Sequence, residues 1–256
     1  MKIFYNIKEI SSYRNQIINK SIGLVHTMGN LHDGHMSLIQ KAKVENTIVI
    51  LTIFINEAQF DKKEDYENYP RTIKEDIQLA LNNKVDILFL PSTNELYPDN
   101  YNYRLTTNRN IAQIMEGEKR PGHFDGMMTI VLKVLLICKA TRSYYSEKDY
   151  QQLELIKGLA KAFILDTEII SCPIIRYPSG LPLSSRLSRL TQSELTLAED
   201  ISKICHSTFI KNDLVESLKQ KEIKIDYIID LNQRRYVAFY IGNIRLIDNF
   251  PLSLIS

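Results

Sequence analysis

Residues 47–55, TIVILTIFI, constrain the fold of this chain more than any other stretch. A strand with one wet face alternates polar and apolar positions. An unbroken β-branched and aromatic run of this length instead reads as a strand covered on both faces, as in a parallel sheet with helices above and below. Its neighbours agree. Strand-like runs at 22–25, 85–90, 142–145 and 168–175 alternate with helical stretches at 36–44, 72–82, 124–138 and 150–163. Such alternation is the signature of an α/β layered fold. Between these elements, 1–20 reads as a polar, helix-prone lead-in and 61–72 as a polar loop. Residues 96–109 read as loop with a short strand, 111–116 as helical and 117–122 as an exposed loop. Beyond Gly180 the pattern changes to a helix near 194–211 and two β-like runs, 224–231 and 236–241. The expected organisation is a large domain over 1–178 and a smaller α+β domain over 179–256.

Composition narrows the class. Of 256 residues, 44% are hydrophobic and 24% charged, which is ordinary for a soluble globular protein. The net charge of +2 is spread without a block of lysine and arginine, so no nucleic-acid partner is expected. Cys138, Cys172 and Cys205 have no C-x-x-C spacing and sit among apolar residues. They read as buried free thiols of a reducing cytoplasm. The N-terminus lacks the pattern of a secretory signal. The longest apolar stretch, 130–138, is interrupted by Lys133 and too short to span a bilayer, so no membrane partner is expected.

Three junctions carry residues suited to phosphate. The first is GLVHTMGNLHDGH, residues 23–35: an apolar strand, Met28-Gly29, a short turn with His32 and His35, then a helix. Backbone N–H groups at a helix start attract anions, glycine allows close approach, and two imidazoles add donors. A metal site is the poorer reading, because zinc needs three or four protein ligands and the chain has neither H-E-x-x-H nor paired cysteines. Asp33 and His123 are the remaining residues a metal would draw on. The second junction is Ser146-Glu147-Lys148-Asp149, which reads equally as a phosphate and ribose cluster or as a polar helix start. The third is Leu183-Ser184-Ser185-Arg186, where hydroxyls and a guanidinium suit phosphate, and a serine cap beside a surface arginine is the plainer alternative. Three such junctions are harder to dismiss than any one of them.

The motifs MGNLHDGH at 28–35, FINEAQF at 54–60, YPRT at 69–72, RPGHFDGM at 120–127, SEKDYQQL at 146–153, GLPLSSR at 180–186 and IGNIRLIDN at 241–249 occur in one order. Together they resemble the pantothenate synthetase (pantoate–β-alanine ligase) family, within the wider group of H-x-G-H nucleotidyltransferases. The resemblance implies a Rossmann-like parallel sheet flanked by helices with a small C-terminal α+β lid. It also implies a two-step reaction, in which pantoate carboxylate attacks the α-phosphate of ATP and β-alanine then displaces AMP from pantoyl adenylate. Carried onto this chain, His32, His35, Lys148 and Arg186 are the catalytic candidates. The nucleotide site draws on Met28, Gly29, Asn30, Leu31, His32, Asp33, Gly34, His35, Ser146, Glu147, Lys148, Asp149, Ile175, Leu183, Ser184, Ser185 and Arg186. Pantoate falls to Gln59 and Gln152, with Asn56 and Met28 nearby. Mg2+ is expected to be held mainly by the ATP phosphates rather than by protein ligands, and a homodimer is expected.

Four positions depart from the family pattern: His26 and Glu57 replace prolines, Asp125 stands where arginine is common, and Ser146 where glycine is usual. None removes a catalytic candidate. A nucleotidyltransferase that adenylylates a phosphate substrate is the nearest enzymatic alternative. The glutamines argue against it, since an anionic phosphate acceptor calls for arginine or lysine. A nucleotide-binding module without catalysis is the alternative from another class, and the intact His32, His35, Lys148 and Arg186 argue against that.

Overall fold

The computed structural model describes residues 1–254. Contacts group the chain into two compact units, the first Met1–Glu147 with Gln151–Cys172, the second Lys148–Tyr150 with Pro173 onward.

The first unit runs β1 (Lys2–Phe4), α1 (Ile7–Gln16), β2 (Ile22–Thr27), α2 (Asp33–Glu45), β3 (Ile48–Ile53), α3 (Lys63–Glu67), α4 (Ile73–Asn82), β4 (Ile87–Phe89), α5 (Thr93–Leu96), α6 (Glu116–Lys119), α7 (His123–Cys138), β5 (Arg142–Ser146), α8 (Tyr150–Ala162) and β6 (Glu168–Cys172). Its six strands lie in the order β1-β4-β3-β2-β5-β6, and all neighbours are parallel. The run that constrained the fold is the strand β3, and it is covered on both faces. On one face Ile50 joins Ile22, Leu24, Ile87 and Phe89 against Ile130, Val131 and Val134 of α7. On the other, Val49, Leu51 and Ile53 join Val25 and Leu88 against Met36, Ile39 and Ala42 of α2 and Ala80 of α4. From β2 the chain steps through β3 to β4 on one side and returns to β5 and β6 on the other. The carboxyl end of β2 is therefore a topological switch point, where open α/β sheets bind ligands.

Several expectations are corrected. The lead-in 1–20 begins with an edge strand, β1, paired with β4 from Lys2↔Ile87 to Phe4↔Phe89. Three residues are too few to show a period. The polar loop 61–72 contains the short helix α3. Residues 96–109 form no strand, and Tyr97 and Tyr101 stack there with ring centroids 4.0 Å apart. The helix expected over 111–116 is a 3-10 turn, Asn110–Ala112, followed by α6, which runs on from Glu116 to Lys119 into the stretch expected as loop.

In the second unit, the helix expected near 194–211 is α9 (Gln192–Ser207), and a second helix, α10 (Lys211–Gln220), follows it unforeseen. They accompany the antiparallel sheet β7 (Lys224–Leu231), β8 (Arg234–Ile241) and β9 (Ile244–Pro251). The third strand is an addition to the two expected. Asn232 and Gln233, both at positive φ (51° and 59°), make the tight β7–β8 turn. Leu181, Ala198, Ile201, Leu214, Val237, Phe239 and Phe250 form this unit's own core.

Candidate active site

The turn after β2 is built to hold two imidazoles in one chemical state. The Thr27 hydroxyl donates to the Thr52 carbonyl at 2.9 Å and accepts the Gly29 N–H at 3.3 Å. Gly29 (φ 84°) and Asn30 (φ 50°) are successive left-handed residues. A Cβ at Gly29 would lie 3.0 Å from Asp76 Oδ2 and 3.1 Å from Ile53 Cγ2, so both conformation and space favour glycine. Asp76 is buried in the first turn of α4, and it accepts the N–H groups of Asn30 (3.0 Å) and Leu31 (2.8 Å) and the Thr72 hydroxyl (3.2 Å).

His32 is the N-cap of α2, and its Nδ1 accepts the Gly34 N–H at 3.1 Å. His35 reaches back so that its Nδ1 accepts the His32 N–H at 3.3 Å. This is a capping box with imidazoles in place of the usual hydroxyl and carboxylate. An acceptor nitrogen carries a lone pair, so a neutral ring in this arrangement bears its proton on Nε2. The rings stand 4.1 Å apart between centroids. One expectation changes here. The backbone N–H groups of Asn30, Leu31, His32 and Gly34 are all engaged within the protein. Met28, Gly29, Asn30, Leu31, Asp33 and Gly34 form or flank the turn that carries the two rings.

A second group of residues centres on Gln59, which ends the 3-10 turn Glu57–Gln59 just after β3. Asn56 is fully buried. Its Nδ2 donates to Gln59 Oε1 and to the Gly126 carbonyl, each at 3.1 Å, and its Oδ1 accepts the Tyr97 hydroxyl at 2.9 Å. Burial raises the Tyr97 pKa, which keeps that phenol a donor. Asn56 therefore orients Gln59, and its own amide is used inside the protein. The Gln59 carbonyl accepts from His123 Nδ1 (2.8 Å) and Arg120 Nη2 (3.3 Å), and Arg120 also pairs with Asp61 (2.9 Å) and Glu116 (3.5 Å). Gly126 lets α7 approach this turn, because a Cβ there would fall 2.1 Å from the Ala58 carbonyl oxygen. The motif RPGHFDGM thus serves as the support of Gln59. Of the adjacent glutamines at the start of α8, Gln151 is buried and donates to the Ile111 and Ile114 carbonyls. The Gln152 side chain is half-buried and makes no hydrogen bond to a described residue.

In the second unit, Lys148, Ser184 and Arg186 line one cavity together with Arg245 and Asp248. Ser184 Oγ accepts the Arg186 N–H at 3.3 Å and its carbonyl accepts the Leu187 N–H at 3.0 Å, which folds the Ser-Ser-Arg run into a turn. The Leu183 N–H is taken by the Ile175 carbonyl at 3.0 Å. Lys148 Nζ lies 3.4 Å from Asp149 Oδ1. The Lys148 carbonyl accepts from Asn249 Nδ2 at 2.8 Å, Arg234 donates to Asn249 Oδ1, and the Arg234 guanidinium lies 3.9 Å from the centre of the Tyr150 ring. Two of the three expected phosphate junctions are thereby brought together. Ser146 and Glu147 belong to the first unit, where the Glu147 carboxylate accepts the Ser171 hydroxyl at 2.7 Å.

The departures from the family pattern also have places. His26 Nδ1 lies 2.6 Å from Thr52 Oγ1, and burial pushes its pKa down to about 4. Glu57 is exposed. Asp125, in the first turn of α7, has its pKa raised by burial against a lowering from Arg104. All three cysteines are buried and free, with Cys138 and Cys205 pushed up to about 12 and Cys172 to about 11 by desolvation. Among the described residues no group of three or more His, Cys, Asp or Glu is placed to hold a metal. No helix among them is long and apolar enough to cross a membrane.

Asp76, Tyr97, Arg120 and Gly126 were not singled out individually by sequence reasoning. Only the motif containing Arg120 and Gly126 gave a signal. Asp76 acts through a contact about 45 positions away, which no local pattern records.

A parallel α/β sheet with a histidine-capped helix at its switch point has the architecture of a nucleotide-binding α/β protein. Residues 2–251 match the pantoate–β-alanine ligase family. The chain belongs to that family. It is 49% identical to a pantothenate synthetase of Coxiella burnetii (strain Dugway 5J108-111), over 98% of this chain and 97% of that protein. It is 48% identical to the pantothenate synthetase of Francisella tularensis subsp. novicida (strain U112), with the same coverage of each. A crystal structure of pantoate–β-alanine ligase from Francisella tularensis, complexed with β,γ ATP and β-alanine, superposes with a TM-score of 0.96 at 47% identity, covering 99% of this chain and 98% of that one. Pantothenate synthetase from Thermus thermophilus superposes with a TM-score of 0.90 at 30% identity, covering 98% and 99%.

Proposed function

We propose that this protein condenses pantoate with β-alanine using ATP, giving pantothenate, AMP and pyrophosphate through pantoyl adenylate. The observation that carries the reading is the imidazole capping box, in which both Nδ1 atoms accept backbone N–H groups and both rings stand at the switch point of the sheet. A carboxylate is a weak nucleophile and is repelled by a triphosphate, so rate enhancement depends on positioning and on donors aimed at developing charge. His32 and His35 supply such donors to the phosphates without net proton transfer. Gln59 and Gln152 hold pantoate through amides, which bind a carboxylate and hydroxyls without adding charge. Both belong to the first unit, as do Asn56 and Met28. Lys148, Ser184, Ser185 and Arg186 of the second unit hold the β- and γ-phosphates, where Mg2+ carried by the ATP would supply Lewis-acid neutralisation of charge. Asp149 and the Ile175 backbone take the nucleoside side.

In the second step the β-alanine amine attacks the acyl carbon and AMP leaves. The adenylate needs shelter from water until then. The chain from Asp61 to Pro70 and the C-terminal domain over 179–256 are assigned that covering role. A cytoplasmic homodimer completes the reading.

The test is pantoate-dependent exchange of labelled pyrophosphate into ATP, with Mg2+, followed by β-alanine-dependent AMP release. His35→Ala should cut exchange by about 100-fold or more, the usual effect of removing one transition-state donor, while pantoate binding changes little. Gln152→Ala should chiefly weaken pantoate binding. A protein that binds ATP but shows no exchange refutes the ligase reading.

A further inference from the structure

Asp76 is a buried carboxylate, 2% exposed, with no place in the chemistry so far. It comes from α4, yet two of its three side-chain bonds are to the turn after β2. Oδ1 takes the Leu31 N–H at 2.8 Å, and Oδ2 takes the Asn30 N–H at 3.0 Å and the Thr72 hydroxyl at 3.2 Å. These are charge-assisted bonds, stronger than neutral ones. They span Asn30, a residue with a side chain in the left-handed region, which is disfavoured unless the surroundings impose it. Successive N–H groups in such a turn form a concavity that attracts anions. Here the protein fills it with its own carboxylate, one residue before the first histidine.

We infer that Asp76 is a positioning residue for the adenylation step, fixing the 29–31 turn so that the His32 and His35 Nε2–H donors stand where charge develops on the ATP phosphates. The inference rests on the proposed role of those histidines. The route is short. The Leu31 N–H is held directly, the next residue is the N-cap, and its N–H is the group that sets the His35 ring. Loss of Asp76 leaves two backbone donors unsatisfied and frees Asn30 to leave its left-handed conformation. The N-cap then loses its fixed starting point, and with it the reciprocal bonds that select the Nε2–H form of each ring.

The experiment compares wild type, Asp76→Asn and Thr72→Val in pyrophosphate exchange, with His35→Ala alongside. Asparagine keeps the shape but turns an NH2 toward one of the backbone N–H groups, so the clasp is half broken. Asp76→Asn is expected to lower exchange kcat by about 10- to 100-fold, the scale of a misplacement near one ångström, with pantoate KM within about threefold of wild type. Thr72→Val, which removes only the weakest bond and keeps the carboxylate, should lower kcat by a few fold with pantoate KM unchanged. Long-range 1H–15N spectra of the imidazoles provide a readout that lost stability alone does not move. Wild type should show Nε2–H tautomers at positions 32 and 35, and Asp76→Asn a mixture. If Asp76→Asn does not fold, Thr72→Val decides by the same two readouts. Unchanged kcat with unchanged tautomers in a folded variant overturns the inference, as does a loss confined to pantoate KM. If His35→Ala itself leaves exchange intact, the histidine reading fails first. If His35→Ala abolishes exchange while the Asp76 and Thr72 variants do not alter it, only the role of Asp76 falls.

Discussion

His26 gives this protein a stability that should weaken in mild acid. The imidazole sits near the end of β2, its Nδ1 2.6 Å from Thr52 Oγ1, and burial depresses its pKa from 6.5 to about 4. In the unfolded chain the same residue titrates near 6.5. Between pH 6.5 and about 4 the unfolded state therefore binds the extra proton and the folded state does not. Stability falls as pH falls through that window and levels off below it. At about 1.4 kcal/mol for each pH unit, the full drop is worth at most about 3 kcal/mol, and solvent reaching this partly exposed residue reduces it. The assay is urea unfolding at intervals from about pH 7.5 to 4 for wild type and His26→Gln, which cannot titrate. Carboxylates contribute equally to both curves, so the difference isolates the histidine. Stability differences that stay constant across the series would refute the assignment. A difference that grows toward low pH in favour of His26→Gln, most steeply around pH 5 to 6, supports it.

Two further outcomes follow from packing. Gly126→Ala places a Cβ 2.1 Å from the Ala58 carbonyl, backbone against helix with no flexible group to yield. It should destabilise by about 1–3 kcal/mol in thermal unfolding and raise pantoate KM through displacement of Gln59; an unchanged melting temperature would contradict the close approach. The three buried thiols, held well above the usual range, should resist alkylation at about pH 8 in the native protein and react fully in denaturant, as counted by intact mass. Rapid labelling of any one of them in native protein would contradict its burial.

The parts of the structure that were legible in the sequence share a property: their signal is local and repeated. The unbroken run around Ile50 announced a strand covered on both faces, and the alternation of strand and helix announced the layers. The strand β1 escaped because three residues carry no period. Its existence depends on β4 supplying an edge. At the site, His32, His35, Gln59 and Lys148 were visible through their motifs, but their states were not. That both imidazoles accept at Nδ1 is a matter of hydrogen bonds, which spacing alone does not fix. Asn56 reads in sequence like a substrate residue, and the fold turns it inward because Tyr97 and Gly126 arrive from elsewhere to meet it. Asp76 was invisible for the same reason, one aspartate in one helical first turn among several.

The imidazole capping box also bears on how this protein responds to selection. Histidine is not among the better N-cap residues; serine, threonine, aspartate and asparagine hold a helix start more firmly. Position 32 is thus one where a better-stabilised protein is a single substitution away. A screen that rewards heat resistance alone would drift toward His32→Asp or His32→Ser, with glutamate favoured at 35 to complete the ordinary box. Such variants would keep the helix, with a higher melting temperature, and give up both Nε2–H groups. On the proposed reading, helix strength and phosphate chemistry compete for the same two side chains, so thermostability engineering of this enzyme has to begin by holding these two positions fixed.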